Sequence, residues 1–156
     1  MADSATGWAV LLPIRKKHAA NIYAGTKTVE LRKTVPRVDP GSYTPSKYPF
    51  RVYLYESKTG GGAGAVTGYF SCPGFLGSRG GQYPGDLAQR AQVSEEYIRE
   101  YANSGWLYGW EVTEPTRLQE PVALSALGID RAPQSWRYLG TDTCKLLEEI
   151  ETAKHW

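Results

Sequence analysis

The chain has 156 residues, 41% of them hydrophobic and 12% aromatic, and a formal charge of +2; this suffices for one domain, residues 1–156, with a real core, and not for two. No run approaches the roughly 18 apolar residues of a membrane span, and residues 1–7, which read as a flexible N-terminus, lack the basic-then-apolar pattern of a signal peptide, so a soluble, cytoplasmic protein is predicted. Two isolated cysteines, Cys72 and Cys144, and two isolated histidines, His18 and His155, form no Cys-x-x-Cys or disulfide-dense pattern, which predicts a reducing compartment and neither a metal site nor a cofactor.

Trp8-Ala-Val-Leu-Leu12 reads as a buried strand ended by Pro13. Residues Arg15 to Ala24 read as a helix, with Ala19, Ile22 and Tyr23 on one side and Arg15, Lys16 and Lys17 exposed near its start. Cations there oppose the helix dipole at a cost of a few tenths of a kcal/mol to about one each, which points to another interaction that favours them. Gly25 is placed to end the helix in a left-handed conformation. Thr28-Val-Glu-Leu-Arg32 then alternates strictly, with Val29 and Leu31 on one face and Thr28, Glu30 and Arg32 on the other.

Pro36 to Pro49 reads as a long loop. Arg51 to Glu56 carries apolar or aromatic residues on both faces and reads as a central strand. Thr59 to Gly64 reads as a flexible hairpin connector; it lacks the Gly-Lys-Ser/Thr ending of a phosphate loop, and a strand follows it. Ala65 to Cys72 is a strand interrupted by Gly68, and residues 73–92 are Gly- and Pro-rich loop. Ser94 to Ala102 is a short helix with Ser94 as N-cap. Trp106 to Val112 is a strand, Pro121 to Gly128 a bend with one helical turn, and Trp136 to Leu139 a last strand. Asp142 to Ala153, within a C-terminal segment 141–156, reads as an amphipathic helix with Leu146, Leu147 and Ile150 inward. The mixture predicts an α+β protein, a small β-barrel decorated by helices.

Charge is unevenly placed. Residues 1–58 hold ten Lys/Arg against four Asp/Glu, and residues 59–156 hold eight against twelve. The basic half contains Lys27, Glu30 and Arg32, gathered at one strand edge, and a basic patch beside an acidic body suits a polyanion or nucleobase-like ligand. Lys27 is suited to hold a phosphate or developing oxyanion, or, if desolvated, to act as a base; the structural alternative is a turn lysine paired with Glu30. Glu30 is suited to accept an exocyclic amine or to orient Lys27, and Arg32 to grip a phosphate; the alternative is a strand ion pair between them.

Gly25-x-Lys27-x-x-Glu30-x-Arg32 resembles the Gly-x-Lys-x-x-Glu-x-Arg signature of the ASCH domain, a branch of the PUA-like superfamily. The context is similar in order: a preceding helix, a Tyr-rich strand ending in Glu56-Ser57, the Val66-Thr-Gly68-Tyr-Phe strand, and an Ala132-Pro-Gln134-Ser135-Trp136 segment like the Pro-Gln-Ser-aromatic motif of longer bacterial and phage members. The resemblance spans roughly residues 8–140. It implies a PUA-like barrel with a cleft between the first helix and the sheet, and an RNA- or nucleotide-binding role. Some members resemble ribonucleases in activity, and others hydrolyse the amide of N4-acetylated cytidine nucleosides. In those amidohydrolases the motif lysine acts with a threonine and a later glutamate; this chain has Glu30 at the threonine's position.

The expected function is therefore an ASCH-type module binding single-stranded RNA, a nucleotide or a modified nucleoside. Arg32, Lys16, Tyr55, Ser57, Gln134, Ser135 and Trp136 are the expected ligand contacts. The alternative is a metal-independent hydrolase of RNA or acylated cytidines, with Lys27 and Glu30 catalytic. A third reading is a protein-interaction module that kept the barrel and lost its ligand.

Overall fold

A computed structural model describes residues 7–37, 48–79 and 82–153; the predicted N-terminal segment and most of the predicted Pro36–Pro49 loop lie outside the described residues. The first strand, β1 (Ala9–Ile14), leads into helix α1 (Lys16–Ala24) and strand β2 (Val29–Arg32). Strands β3 (Phe50–Glu56), β4 (Ala65–Cys72) and β5 (Phe75–Arg79) follow, then helices α2 (Leu87–Ala91) and α3 (Glu95–Ala102). The chain ends in β6 (Trp106–Glu111), β7 (Thr113–Val122), a 3-10 turn at Leu124–Leu127, β8 (Arg137–Leu139) and α4 (Thr141–Ala153).

The fold is α+β, built on two sheets. One has five strands in the order β7-β4-β3-β1-β8, and the other has three in the order β2-β6-β5. Among the described strands only β1 and β3 run parallel, with α1 and β2 in the crossover between them. The expected barrel is not closed: among the described residues no ladder joins the edges of the two sheets. Instead the chain passes between them four times, through α1 from β1 to β2, back from β2 to β3, and by two short bends, at Pro73-Gly74 from β4 to β5 and at Val112 from β6 to β7. The two bends touch, since Glu111 N donates to Gly74 O at 3.1 Å.

Strand alternation builds the layers. In β1, Val10, Leu12 and Ile14 enter a cluster with Phe50, Val52, Leu54, Phe70 and Trp110, while Ala9 and Leu11 enter a second with Tyr53, Tyr69, Leu139 and Leu147. The second cluster lies beneath the 3-10 turn and α4. A third joins Val29 and Leu31 to Leu87, Ala91 and Ile98, so α2 and α3 cover the outer face of the small sheet. Burying a large apolar side chain of this kind contributes about 1.5–3 kcal/mol.

Several expectations need correction. The first strand runs through Pro13, because β8 pairs only with Ala9, Val10 and Leu11 and leaves that side of the strand open beyond Leu11. Residues 73–92 hold β5 and α2 rather than loop alone. Residues 113–122 form β7, at the edge of the large sheet. In α4, Leu146 points outward, and Cys144, Leu147 and Glu151 are the buried line. Glu151 belongs inside because Tyr69 Oη donates to Glu151 Oε1 at 2.7 Å and Arg51 Nη1 lies 3.3 Å from Glu151 Oε2.

Candidate functional site

The turn after α1 delivers the charged residues. Gly25 adopts φ 85° and donates its N–H to Ile22 O, while the Thr26 and Lys27 amides both reach Asn21 O at 3.0 Å. The chain reverses into β2 with Lys27 at the junction. Thr28 N donates to Arg90 O at 2.8 Å, which clamps the end of α2 against this strand. Lys27 Nζ donates to Ala91 O, one of the carbonyls a helix leaves open at its C-terminus. Burial of Lys27, 2% exposed, thus has a structural cause.

Glu30 joins Lys27 to Arg32. Its Oε1 lies 3.3 Å from Lys27 Nζ, and its Oε2 accepts from Arg32 Nε at 2.9 Å and from Nη2 at 2.6 Å. Arg32 Nη2 also donates to Pro13 O at 2.8 Å, and Nη1 to Ser135 O at 3.0 Å. Four of the five guanidinium N–H groups are therefore engaged by protein, and two of the three ammonium protons of Lys27. Among the described residues each cation keeps one donor without a protein partner. Burial alone would raise the Glu30 pKa, but Arg32 and then Lys27 outweigh it and hold the carboxyl below its ordinary value. For Lys27, burial lowers the pKa and exceeds the opposing pull of Glu30.

These groups form part of the wall of a cavity of about 580 Å³, within the usual size range of ligand pockets. Pro13, Ile14, Arg15 and His18 line it from β1 and α1, and Ser57 from the end of β3. Val93, Tyr97 and Tyr101 enclose it from the α2–α3 side, and Gln134 from the segment before β8. His18 Nδ1 is buried without a hydrogen-bond partner among the described residues. Burial, then Lys27, lower the His18 pKa below its ordinary 6.5, so the imidazole is neutral at pH 7. Tyr97 and Tyr101, one turn apart on α3, stack with centroids 5.7 Å apart and planes at 11°. Lys33 Nζ sits 4.9 Å above the Tyr101 ring.

Of the residues expected from sequence, Lys27, Glu30, Arg32, Ser57 and Gln134 line the cavity. Ser135 presents its carbonyl to Arg32. Trp136 lies beside this region, donating to Thr34 Oγ1 at 2.9 Å and packing edge-on to Trp110. Tyr55 packs into the cluster under α4, on the other face of the large sheet. Lys16 is exposed on the first turn of α1. Sequence reasoning missed His18, Tyr97 and Tyr101 as site residues. The i, i+4 tyrosine pair on a helix with buried Ile98 and Ala102 was the available signal.

No metal-like group of three His, Cys, Asp or Glu occurs among the described residues. No described helix is long and apolar enough to cross a membrane.

This arrangement of sheets and helices is the ASCH fold. The chain superposes on the crystal structure of the ASCH protein from Zymomonas mobilis with a TM-score of 0.73, at 18% identity, covering 90% of this chain and 94% of that one. Two variants of that protein match equally. A serine-to-alanine form gives 0.74 at 18% identity, over 91% and 95% of the two chains, and a tyrosine-to-phenylalanine form gives 0.74 at 17%, over 90% and 96%. No protein-family model matches the sequence, and no curated protein does.

Proposed function

We propose that this chain is an ASCH-family module that binds single-stranded RNA or a nucleotide in the cavity at Lys27, Glu30 and Arg32. The observation that carries this reading is the prepaired charge network. Two cations share one carboxylate, so among the described residues this part of the cavity wall keeps a net positive charge and one unengaged N–H on each cation. A phosphate or a base carbonyl is the matching partner, and the stacked Tyr97 and Tyr101 offer aromatic surface for a base. Glu30, ionised and engaged at both oxygens, orients the two cations.

Titrating labelled single-stranded RNA at increasing salt tests the reading. Affinity falls linearly on logarithmic axes, by about 0.7 per phosphate contact, and Lys27→Met weakens binding. Binding that is absent at low salt, or indifferent to salt, overturns it.

A second reading, a metal-independent hydrolase, has one observation in its favour. A neutral imidazole with an open nitrogen shares the cavity with the Lys27 ammonium, which pairs a base with a group that stabilises negative charge. Incubation with RNA and with acylated cytidines in EDTA tests it. Turnover that is lost in His18→Ala and Lys27→Met supports it, and its absence on every substrate refutes it.

A further inference from the structure

The small sheet continues outward from the cavity with a row of aromatic rings that the cavity does not use. Directly paired residues share one face of a sheet. The register of β2, β6 and β5 therefore puts three rows on the same face. The innermost is Glu30, Trp110 and Phe75; the next is Arg32, Tyr108 and Gly77; the outermost is Trp106 and Arg79. Trp110 is fully buried in the core, but Trp106, two residues away, is 50% exposed. Tyr108 and Trp106 stack with centroids 5.8 Å apart and planes at 11°. Both rings lie over Gly77, where a Cβ would come 3.5 Å from Tyr108 Cε1 and 3.8 Å from Trp106 Cζ3. These are ordinary contact distances, so the rings lie close against the sheet at this point.

Cations border this row. Arg79 is the cross-strand partner of Trp106, and Arg37 Nη2 donates to Tyr108 Oη at 3.4 Å; both arginines are exposed. The small sheet carries only two carboxylates. Glu30 is held by Lys27 and Arg32, and Glu111 pairs with Arg90 at 3.2 Å. The face therefore has flat rings and positive charge that no carboxylate of the small sheet is left to oppose, and it begins at Arg32, in the cavity wall.

We propose that this face is a stacking track for single-stranded nucleic acid, leading from Arg32 in the cavity wall over Tyr108 to Trp106. Charge complementarity selects a polyanion, and exposed flat rings select unpaired bases, since a duplex keeps its base faces covered. The track rests on the nucleotide reading of the cavity. It makes that reading specific: the ligand is an oligomer, with one nucleotide in the cavity and its neighbours on the sheet. Arg79 and Arg37 meet the phosphates between them.

Calorimetric titration of the four ribonucleoside monophosphates and of a randomised RNA hexamer, single-stranded and as a duplex, tests the track. Each stacked base is worth roughly five-fold to a hundred-fold in affinity. The single-stranded hexamer is expected to bind at least about ten-fold tighter than the best mononucleotide. Trp106→Ala removes that gain and leaves mononucleotide affinity unchanged, and Arg79→Ala reduces the salt dependence of hexamer binding. Trp106 is a surface ring, so its variant keeps the core intact. No gain with length, a gain that survives Trp106→Ala, or equal binding of the duplex overturns the track. Mononucleotide binding that persists in that case leaves the cavity reading standing. Hexamer binding that depends on Trp106 without any mononucleotide binding refutes the cavity reading and keeps the track. Binding of neither ligand refutes both.

Discussion

Replacing Glu30 by glutamine leaves the shape of the site and removes its one negative charge. Lys27 is 2% exposed and the Arg32 side chain 12% exposed, and both depend on this carboxylate. Breaking a buried pair by removing one partner costs about 3–5 kcal/mol, because a charge is left uncompensated. For a chain of this size that lowers the melting temperature by roughly 6–20 °C. Lys27→Met behaves differently. It removes the buried charge, keeps the Glu30–Arg32 pair, and leaves Ala91 O without its ammonium partner, for a cost of about 1–3 kcal/mol. The double variant lacks both the carboxylate and one of the cations it neutralised, so its loss is smaller than the sum by about 0.5–3 kcal/mol. Urea unfolding of the four proteins measures each value. A Glu30→Gln loss below about 1 kcal/mol, or strict additivity in the double variant, refutes the argument that these charges are held out of water.

Acid should weaken the fold in two stages. His18 and Glu30 both have folded-state pKa values below their ordinary ones, so each contributes stability that is complete above its unfolded pKa and lost as pH falls. The His18 stage begins near pH 6.5 and the Glu30 stage near pH 4.5. Thermal melts of His18→Gln across this range should lose the upper stage only; an unchanged profile refutes the assignment. Gly68→Ala should lower stability by about 1–3 kcal/mol or more, because its Cβ would lie 2.3 Å from Thr116 O and 2.5 Å from Tyr23 Oη. A melting temperature equal to that of the parent would show that β7 and α1 give way freely.

The central strands and capped helices were legible in the sequence because local signals and burial agree there. Ser94 does cap α3, with Tyr97 N donating to Ser94 Oγ at 3.0 Å, and β3 does lie in the middle of its sheet. The edge strand β7 was not legible. Thr113-Glu-Pro-Thr-Arg-Leu-Gln-Glu-Pro-Val122 carries two prolines and three charges, which an edge tolerates and a strand pattern hides. The inward line of α4 was misread because a carboxylate, Glu151, takes an inward position opposite Arg51 and Tyr69, which are far away in sequence. In the site, the grouping of Lys27, Glu30 and Arg32 followed from their spacing. Their occupancy did not. It depends on Pro13 O, Ala91 O and Ser135 O, backbone atoms supplied by three distant segments. His18 was missed for the same reason: a lone histidine on a basic helix gives no sign that its ring is enclosed.

The two short chain crossings at Pro73-Gly74 and Val112 bear on how the proposed ligand would be received. The cavity takes Pro13, Ile14 and Ser57 from the large sheet's strand ends and Glu30, Leu31 and Arg32 from the small sheet. Widening it by swinging one sheet from the other would bend both of these crossings and pull apart the contacts that Phe50 of the large sheet makes with Phe75 and Trp110 of the small one. The site is thus built as a fixed mould and not a jaw. Its charged groups are already aligned before anything arrives, so the ordering entropy of complex formation falls on the ligand and not on the protein.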